Sequence, residues 1–273
     1  MPEQSKTLVI DQPELLFKVS TRRSFLKLLG VGGTIVLMPS VFAACADSGK
    51  DSTPTGLGGG TAAAAVSLNL SGDLGILNYA YALEQLEAAF YTAVVGSSVF
   101  STMNAEQQEV MLDLRNHEVI HREFFKAALG TNAIPALTLN GAAVASTLTS
   151  IPVILQNAEA FEDLGVSAYN GAGKYLASPD YLLLAGKIVS VEARHAAAIR
   201  DMRDAMGVTG GDAANTRFAG DSVVNSAGLD VKLEPSSVLG RVGSTKLVGN
   251  AISIGTAPTK ASTPDAGPPS PTP

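Results

Sequence analysis

The sequence predicts an all-α protein: an up-down four-helix bundle with one long crossover, followed by an irregular C-terminal extension. Between residues 70 and 207, apolar side chains recur at spacings of three and four, which is the helical repeat. Alanine is abundant there, and the alternation of β-branched residues that marks strands is scarce. Glycines, prolines and N-cap residues divide the region into four periodic segments, so we expect one helical domain at 70–207.

The first two predicted helices are joined by a short connection. The first has Asp73 as a candidate N-cap and continues to Gly96. The second begins after Asn104, an N-cap with Gln107 at the third helical position, and continues to Gly130.

The other two helices follow a long polar connection at residues 131–151. The third begins near Ser150 with Pro152 in its first turn, and the fourth begins at Ser178 and ends near Gly207. Bundles with one such long crossover include the ferritin-like folds.

Carboxylates interrupt the apolar stripe of every predicted helix, and they do so as an internal repeat. Each half of the bundle has a Glu, a Tyr seven residues later, and a Glu-x-x-His pair on the next helix: Glu84, Tyr91, Glu118 and His121, then Glu162, Tyr169, Glu192 and His195. Residues three apart share a helix face. The repeat therefore predicts that four glutamates and two histidines point at a common centre.

This set of side chains indicates a dinuclear metal site. Four carboxylates inside a bundle would repel one another, and desolvation would cost several kcal/mol for each. Two divalent cations would neutralise them, and oxygen-rich ligands with one imidazole per metal suit Fe or Mn better than a closed zinc site. We expect two Fe or Mn ions bridged by carboxylates, with Tyr91 and Tyr169 donating hydrogen bonds to the opposite glutamates.

Neighbouring residues compete with two of these assignments. Glu87 shares the face of Glu84, and Glu159 lies one turn before Glu162. A tyrosine lies seven residues after Glu84 and after Glu162, and this shared spacing favours these two glutamates as the ligands. We expect Arg200 to be solvated or paired at the surface.

The segment His117-Glu118-x-x-His121 has a second interpretation as a zinc-protease helix. In it, His117 and His121 bind the metal and Glu118 is the base. A third ligand is required, and no extended metalloprotease pattern follows. The pair Glu192 and His195 would also be unexplained, so we expect His117 to be an edge histidine. A further alternative is a metal-free bundle with a structural or protective role in the cell envelope.

The first 45 residues have the features of an export signal. Arg22 and Arg23, followed by Ser-Phe-Leu-Lys, resemble a twin-arginine signal. The uncharged stretch at 28–44 is short for a membrane span but suits the apolar part of a signal peptide. Cys45 follows Phe-Ala-Ala in an imperfect lipobox. We expect a lipid on Cys45 that anchors the protein to a membrane in the periplasm or envelope, with ordinary cleavage as the open alternative.

The remaining segments are expected to carry no chemistry. Residues 46–69 are Gly/Ser/Thr/Ala-rich and predict a flexible linker. Residues 208–255 predict loops and short helices, one of them from Glu234 through Leu239. Residues 256–273 are rich in proline and predict a disordered tail.

Charge and cysteine content argue against three classes of protein. The net charge is −6, although the first 45 residues carry five Lys/Arg and only three Asp/Glu. An acidic body argues against nucleic-acid binding, which needs a basic face. The single cysteine excludes an intrachain disulfide framework and a thiolate zinc ribbon.

Four segments together resemble bacterial ferritin-like-domain proteins related to desiccation-associated proteins: LNYAYALEQLEAAFY, HEVIHREFF, AEAFEDLGVSAYNGAG and VEARHAAAIRDM. The resemblance covers roughly residues 70–205 and implies a ferritin-like bundle with metal ligands at Glu84, Glu118, His121, Glu162, Glu192 and His195. It does not supply a substrate. We expect metal oxidation or removal of reactive oxygen species in stress protection, with enzymatic turnover left open. The expected partners are the twin-arginine translocation machinery and a membrane, and a homo-oligomer is one option for assembly.

Overall fold

The computed structural model describes residues 65–207 and 222–260, and four long helices form their main body. Helix α1 spans Gly72–Val95, α2 spans Ala105–Leu129, α4 spans Ile151–Ala172 and α5 spans Pro179–Ala205, while the short α3, Gly141–Ser146, lies in the crossover. Helix α1 packs mainly on α2, and α4 packs mainly on α5. The bundle therefore consists of two helical hairpins, and the predicted all-α fold is confirmed.

The helix starts follow local sequence signals where a polar cap is present. Asn104 accepts a hydrogen bond from the backbone N–H of Gln107, whose side chain accepts one from the backbone N–H of Asn104. This reciprocal pair is a capping box. The hydroxyls of Ser150 and Ser178 cap α4 and α5 by accepting from the backbone N–H groups of Val153 and Tyr181, without the return bond of a capping box.

Asp73 does not cap α1, contrary to the sequence prediction. The helix begins at Gly72, after Ser71. The carboxylate of Asp73 instead accepts hydrogen bonds from the backbone N–H groups of Ala177 at 2.6 Å and Ser178 at 3.0 Å. Because these groups immediately precede α5, Asp73 ties the start of the first long helix to the start of the last.

The crossover between the two hairpins is held against α1 by two amide side chains. Asn78 donates to the carbonyl of Asn132 at 2.9 Å and accepts from the backbone N–H of Ile134 at 2.8 Å. Gln85 accepts from the backbone N–H of Leu137 at 2.8 Å. Asn78 and Gln85 are seven residues apart and share a helix face. They therefore direct the crossover along α1.

A two-stranded parallel sheet, which was not predicted from the sequence, joins the segments that flank the bundle. Strand β1, Val66–Asn69, lies in the segment assigned to a flexible linker. Strand β2, Ile252–Thr256, lies at the end of the predicted C-terminal extension and includes the first residue of the predicted disordered tail. Val66 and Leu68 are buried while their neighbours are exposed, as in a strand with one buried face. Four residues give too short a pattern to identify without a partner strand that lies far along the chain.

The C-terminal extension packs on the bundle through helix α6, Pro235–Thr245. This helix begins where predicted but continues beyond Leu239. It buries Val238 and Val242 in the main core. The backbone N–H of Leu233, just before the helix, donates to the carbonyl of Ser167 in α4 at 2.9 Å.

Gly171 allows this close approach, because a Cβ there would lie 1.7 Å from the carbonyl oxygen of Leu233. We expect Gly171→Ala to lower the free energy of unfolding by about 2 kcal/mol, since backbone must shift to relieve the clash. Urea denaturation of the full chain measures this. Gly186→Ala in α5 is the matched control, because its Cβ would meet nothing within 4 Å. Equal losses of stability in the two variants would contradict the prediction.

Among the described residues, no helix has both the length and the hydropathy needed to cross a membrane. The residues predicted to direct export and lipidation, Arg22, Arg23 and Cys45, lie outside the described residues. So does the end of the predicted tail, residues 261–273.

Candidate metal centre

Six side chains from the four long helices meet in one cluster. Their ligand-type atoms form two groups, within each of which all atoms lie within 4.8 Å of one another: Glu84, Glu118, His121 and Glu192, then Glu118, Glu162, Glu192 and His195. Both groups contain Glu118 and Glu192. The structure therefore brings together all six predicted residues, as two centres that share two carboxylates.

The helical repeat explains how each hairpin supplies half of the cluster. Helices α1 and α4 each contribute one glutamate, and α2 and α5 each contribute a Glu-x-x-His pair on one face. All four glutamates are 0% exposed, and His195 is 6% exposed. Four carboxyl groups are thus removed from water, which is costly without counter-charges.

The Nδ1 atom of each imidazole faces the carboxylates. For His121 the nearest oxygen is Oε1 of Glu192 at 2.9 Å, and for His195 it is Oε1 of Glu118 at 2.9 Å. Two further carboxylate oxygens lie within 3.5 Å of each Nδ1 atom. The two shared carboxylates are therefore also the closest partners of the imidazoles.

Several of these buried atoms lie close together without forming hydrogen bonds. The atoms without a hydrogen-bond partner include both carboxylate oxygens of Glu118, Oε2 of Glu84 and Glu162, Oε1 of Glu192 and Nδ1 of His121. A buried polar atom left unsatisfied costs about 1–3 kcal/mol. Coordination of cations would satisfy these atoms, and four carboxylates balance the charge of two divalent ions. The residues present thus fit a dinuclear centre.

Two buried tyrosines bond to the cluster across the bundle. The hydroxyl of Tyr91 in α1 donates to Oε1 of Glu162 in α4 at 2.5 Å, and the hydroxyl of Tyr169 in α4 donates to Oε1 of Glu84 in α1. Each tyrosine thus holds the glutamate of the opposite hairpin, as expected from the repeat. Each bond occupies one oxygen and orients the carboxyl group.

The two carboxylates that competed with these assignments lie outside both groups. Glu87 lies against Gly165 of α4, where a Cβ would be 3.0 Å from its Oε1 atom. Glu159 pairs with Arg200 at 3.7 Å and with Arg203. The tyrosine spacing therefore selected the glutamates that meet in the cluster.

Arg200 is buried, contrary to the expectation that it would be solvated or paired at the surface. It is 5% exposed and forms an ion pair with Asp163 as well as with Glu159. This burial could not be predicted from the residues around Arg200, because both carboxylates come from the neighbouring helix α4.

His117 lies outside both groups and contacts His195 instead. Its Nδ1 atom is 2.9 Å from Nε2 of His195. The zinc-protease interpretation requires His117 and His121 to share an ion, whereas only His121 has its ring nitrogen among the grouped atoms. The described residues thus give the protease interpretation no metal site. Sequence reasoning placed His117 at the edge of the stripe but missed its contact with His195, which has no local signal.

The cluster can be neutralised by protons when no metal is bound. Burial lowers the pKa values of His121 and His195, but the surrounding carboxylates outweigh it and raise both to about 12. Burial raises the pKa of Glu162 to about 8 and that of Glu84 well above its usual range. Burial also acts to raise the pKa of Glu118, yet the two imidazoles together lower it to about 2. At neutral pH the metal-free centre therefore holds several protons that a metal would have to displace.

Comparison with known proteins identifies the domain that contains this cluster. Residues 72–205 match the ferritin-like domain family. This span begins with α1, ends with α5 and contains all six clustered side chains. No curated protein matches the chain.

Proposed function

Because residues 72–205 form a ferritin-like domain, we propose that the protein holds two Fe or Mn ions for metal oxidation or removal of reactive oxygen species. The observation that supports this is the pair of ligand groups that share Glu118 and Glu192. In the proposed centre these two carboxylates would contribute to both metal positions. One ion is also held by Glu84 and His121, and the other by Glu162 and His195.

The donor set favours Fe or Mn. Carboxylate oxygens with one imidazole per ion suit these metals, whereas structural zinc sites are closed and rich in thiolates or imidazoles. When bound, such a pair of ions supplies redox chemistry with O₂ or peroxide. The chain itself keeps the centre dry through the burial of its four glutamates, and Tyr91 and Tyr169 hold two of those glutamates in orientation.

An apolar cavity beside the cluster supports a small oxidant as substrate. All four long helices contribute to its wall, which includes Leu77, Ala80, Phe125, Tyr169 and Leu184. The hydroxyl of Tyr169 also donates to Glu84, so this one side chain contacts both the cavity and the cluster. The cavity volume is about 20 Å³, enough for about one water-sized molecule. A cavity of this size and lining favours O₂ over an organic substrate.

The cellular setting in this proposal rests on the sequence alone. Arg22 and Arg23 would direct export through the twin-arginine machinery, and a lipid on Cys45 would hold the protein at a membrane of the envelope. Export by this route suits a protein that takes up its metal before crossing the membrane, and the stress-protection role in this proposal comes from the resemblance to desiccation-associated proteins. Fractionation of cells that express the full chain tests the anchor: Cys45→Ala should move the protein from the membrane to the soluble fraction.

Metal content measured by mass spectrometry on the purified full chain tests the proposed function. We expect about two Fe or Mn per chain. One zinc per chain that is lost in His117→Ala would support the zinc-protease alternative. No metal, even after reconstitution under anaerobic conditions, would support a metal-free bundle with a structural or protective role.

Metal binding should become tighter as the pH rises. At neutral pH both imidazoles of the metal-free cluster are protonated, since their pKa values are raised to about 12. Each must lose its Nδ1 proton to bind a metal, so lower pH favours the metal-free state. We expect release of at least two protons as both positions fill near pH 7. Calorimetric titration with the metal in two buffers of different ionisation enthalpy measures the number of protons released. A binding affinity that does not change between pH 6 and pH 8 would contradict the prediction.

A further inference from the structure

We infer that His117 is a positioning residue for one of the two proposed metal positions, because it holds His195 with Nδ1 directed at the carboxylates. This inference rests on the proposed function and adds to it that the two positions are unequal. The position that contains His195 has a fixed imidazole, and the position that contains His121 does not.

The contact between His117 and His195 has the geometry of a hydrogen bond between ring nitrogens. Nδ1 of His117 lies 2.9 Å from Nε2 of His195, and the two ring planes differ by 9°. The opposite nitrogen of His195, Nδ1, faces Glu118, Glu162 and Glu192. The ring of His195 is therefore held at both ends.

This arrangement determines which nitrogen of the His195 ring carries a proton when a metal is bound. A histidine that binds a metal through Nδ1 has no proton there, so its remaining proton is on Nε2. Nε2 of His195 then donates to Nδ1 of His117, which leaves the proton of a neutral His117 on its own Nε2. Outer partners of this kind fix the tautomer and the ring orientation of a metal ligand. His117 is exposed, so water can accept a hydrogen bond from its Nε2 atom.

The other imidazole lacks such a partner. In the internal repeat, His117 precedes the glutamate of the first Glu-x-x-His pair, and Val191 precedes that of the second. A valine side chain can neither donate nor accept a hydrogen bond. In the part of the chain that the structure describes, Nε2 of His121 forms no hydrogen bond with any residue. The two halves of the repeat therefore differ here: the first has a histidine before its Glu-x-x-His pair, and the second has a valine.

This inference is tested by isothermal titration calorimetry, in which Mn²⁺ or Fe²⁺ is added to the full metal-free chain under anaerobic conditions. His117→Phe retains a ring but removes the acceptor, and it should weaken one of two binding steps by about 10–100-fold. The other step should change by less than about twofold. His117→Gln supplies a carbonyl oxygen as acceptor and should restore most of the lost affinity.

Two double variants show which metal position is affected. When His121→Ala has removed the other imidazole, His117→Phe should still weaken the binding step that remains. When His195→Ala has removed the contact itself, His117→Phe should have no further effect. Equal weakening of both steps by His117→Phe would overturn the inference, as would no change in either step or a Gln variant as weak as the Phe variant. Circular dichroism of each variant shows whether the bundle has folded.

Ring-nitrogen NMR of the metal-free full chain separates this inference from the proposed function. The proton on Nε2 of His195 should give a slowly exchanging signal that disappears in His117→Phe. If that signal is present but no metal binds, the hydrogen bond is supported and the proposed function fails. If the parent protein lacks the signal, the positioning role is overturned whatever the metal content.

Discussion

Glu118→Gln should strongly weaken the binding of both metal ions and also destabilise the metal-free protein. Glu118 belongs to both groups of ligand atoms, and it is 0% exposed. The substitution keeps the size of the side chain but removes a negative charge. Any role that depends on that charge is therefore lost, while the packing of α2 is retained.

The loss of metal follows from the shared position of this carboxylate. Removing one partner of a buried charge interaction costs about 3–5 kcal/mol, which corresponds to a loss of affinity of roughly 10²–10⁴-fold. Because Glu118 belongs to both groups and would help to hold both ions, the loss should affect both binding steps. Glu162→Gln should affect mainly one step, because Glu162 belongs to one group only. Calorimetric titration distinguishes these two patterns.

The loss of stability follows from the imidazoles. Glu118 lies 2.9 Å from Nδ1 of His195 and 3.5 Å from that of His121, and their effect outweighs burial and lowers its pKa to about 2. It is therefore a buried anion between two protonated rings. Removing its charge should lower the free energy of unfolding in the presence of a chelator by about 3 kcal/mol at pH 7.

Glu87→Gln provides the matched control for Glu118→Gln. Glu87 is also a buried glutamate, but it lies outside both groups and against Gly165. Burial, followed by the neighbouring carboxylates, raises its pKa well above the usual range, which favours the neutral form that glutamine resembles. We expect two ions per chain to remain in this variant. Loss of both ions in Glu87→Gln but not in Glu118→Gln would contradict the assignment of Glu118 to both metal positions.

Glu159→Gln should lower stability by about 3 kcal/mol without loss of metal. The carboxylate pairs with Arg200 and Arg203, whose side chains are 5% and 7% exposed. Two buried guanidinium groups would lose the charge of this carboxylate, and removing one charge from a buried ion-pair network is destabilising, although Arg200 keeps its ion pair with Asp163. Urea denaturation with a chelator measures the stability, and mass spectrometry measures the metal content.

Glu123→Gln is the control for this second prediction. Glu123 pairs with Arg122 at 2.8 Å, but both side chains are about one-third exposed, at 32% and 31%. Water screens such pairs, and they contribute between about 0 and 1 kcal/mol. Similar losses in Glu159→Gln and Glu123→Gln would show that burial of the ion pair does not govern its contribution. Loss of metal in Glu159→Gln would place Glu159 in the site.

The helices and the choice among neighbouring carboxylates could be predicted because their signals are local and repeated. The capping box of Asn104 and Gln107 needs only four consecutive residues, and the structure contains it. The choice of Glu84 over Glu87 needed the tyrosine spacing, which occurs twice in the chain. Either occurrence alone would be weak evidence for a ligand, since Glu and Tyr are common on helix faces.

The predictions that were wrong share a different cause. Asp73 was assigned to cap its own helix, but the backbone N–H groups before α5 are its partners. Strand β1 was assigned to a linker, but β2 supplies its hydrogen bonds from the far end of the chain. Arg200 was expected at the surface, but α4 covers it. Each of these outcomes depends on a segment that is distant in the sequence.

The sequence by itself determined the four helices and the side chains that each helix turns toward the bundle centre. It could do so because residues three and four apart share a helix face whatever the rest of the chain does. Only the tertiary structure decided which atoms meet across helices: that Glu118 and Glu192 are common to both groups, and that His117 contacts a ring 78 positions away. The physical reason is that helical periodicity sets direction along one helix, whereas the rotation and height of one helix against another depend on packing throughout the core.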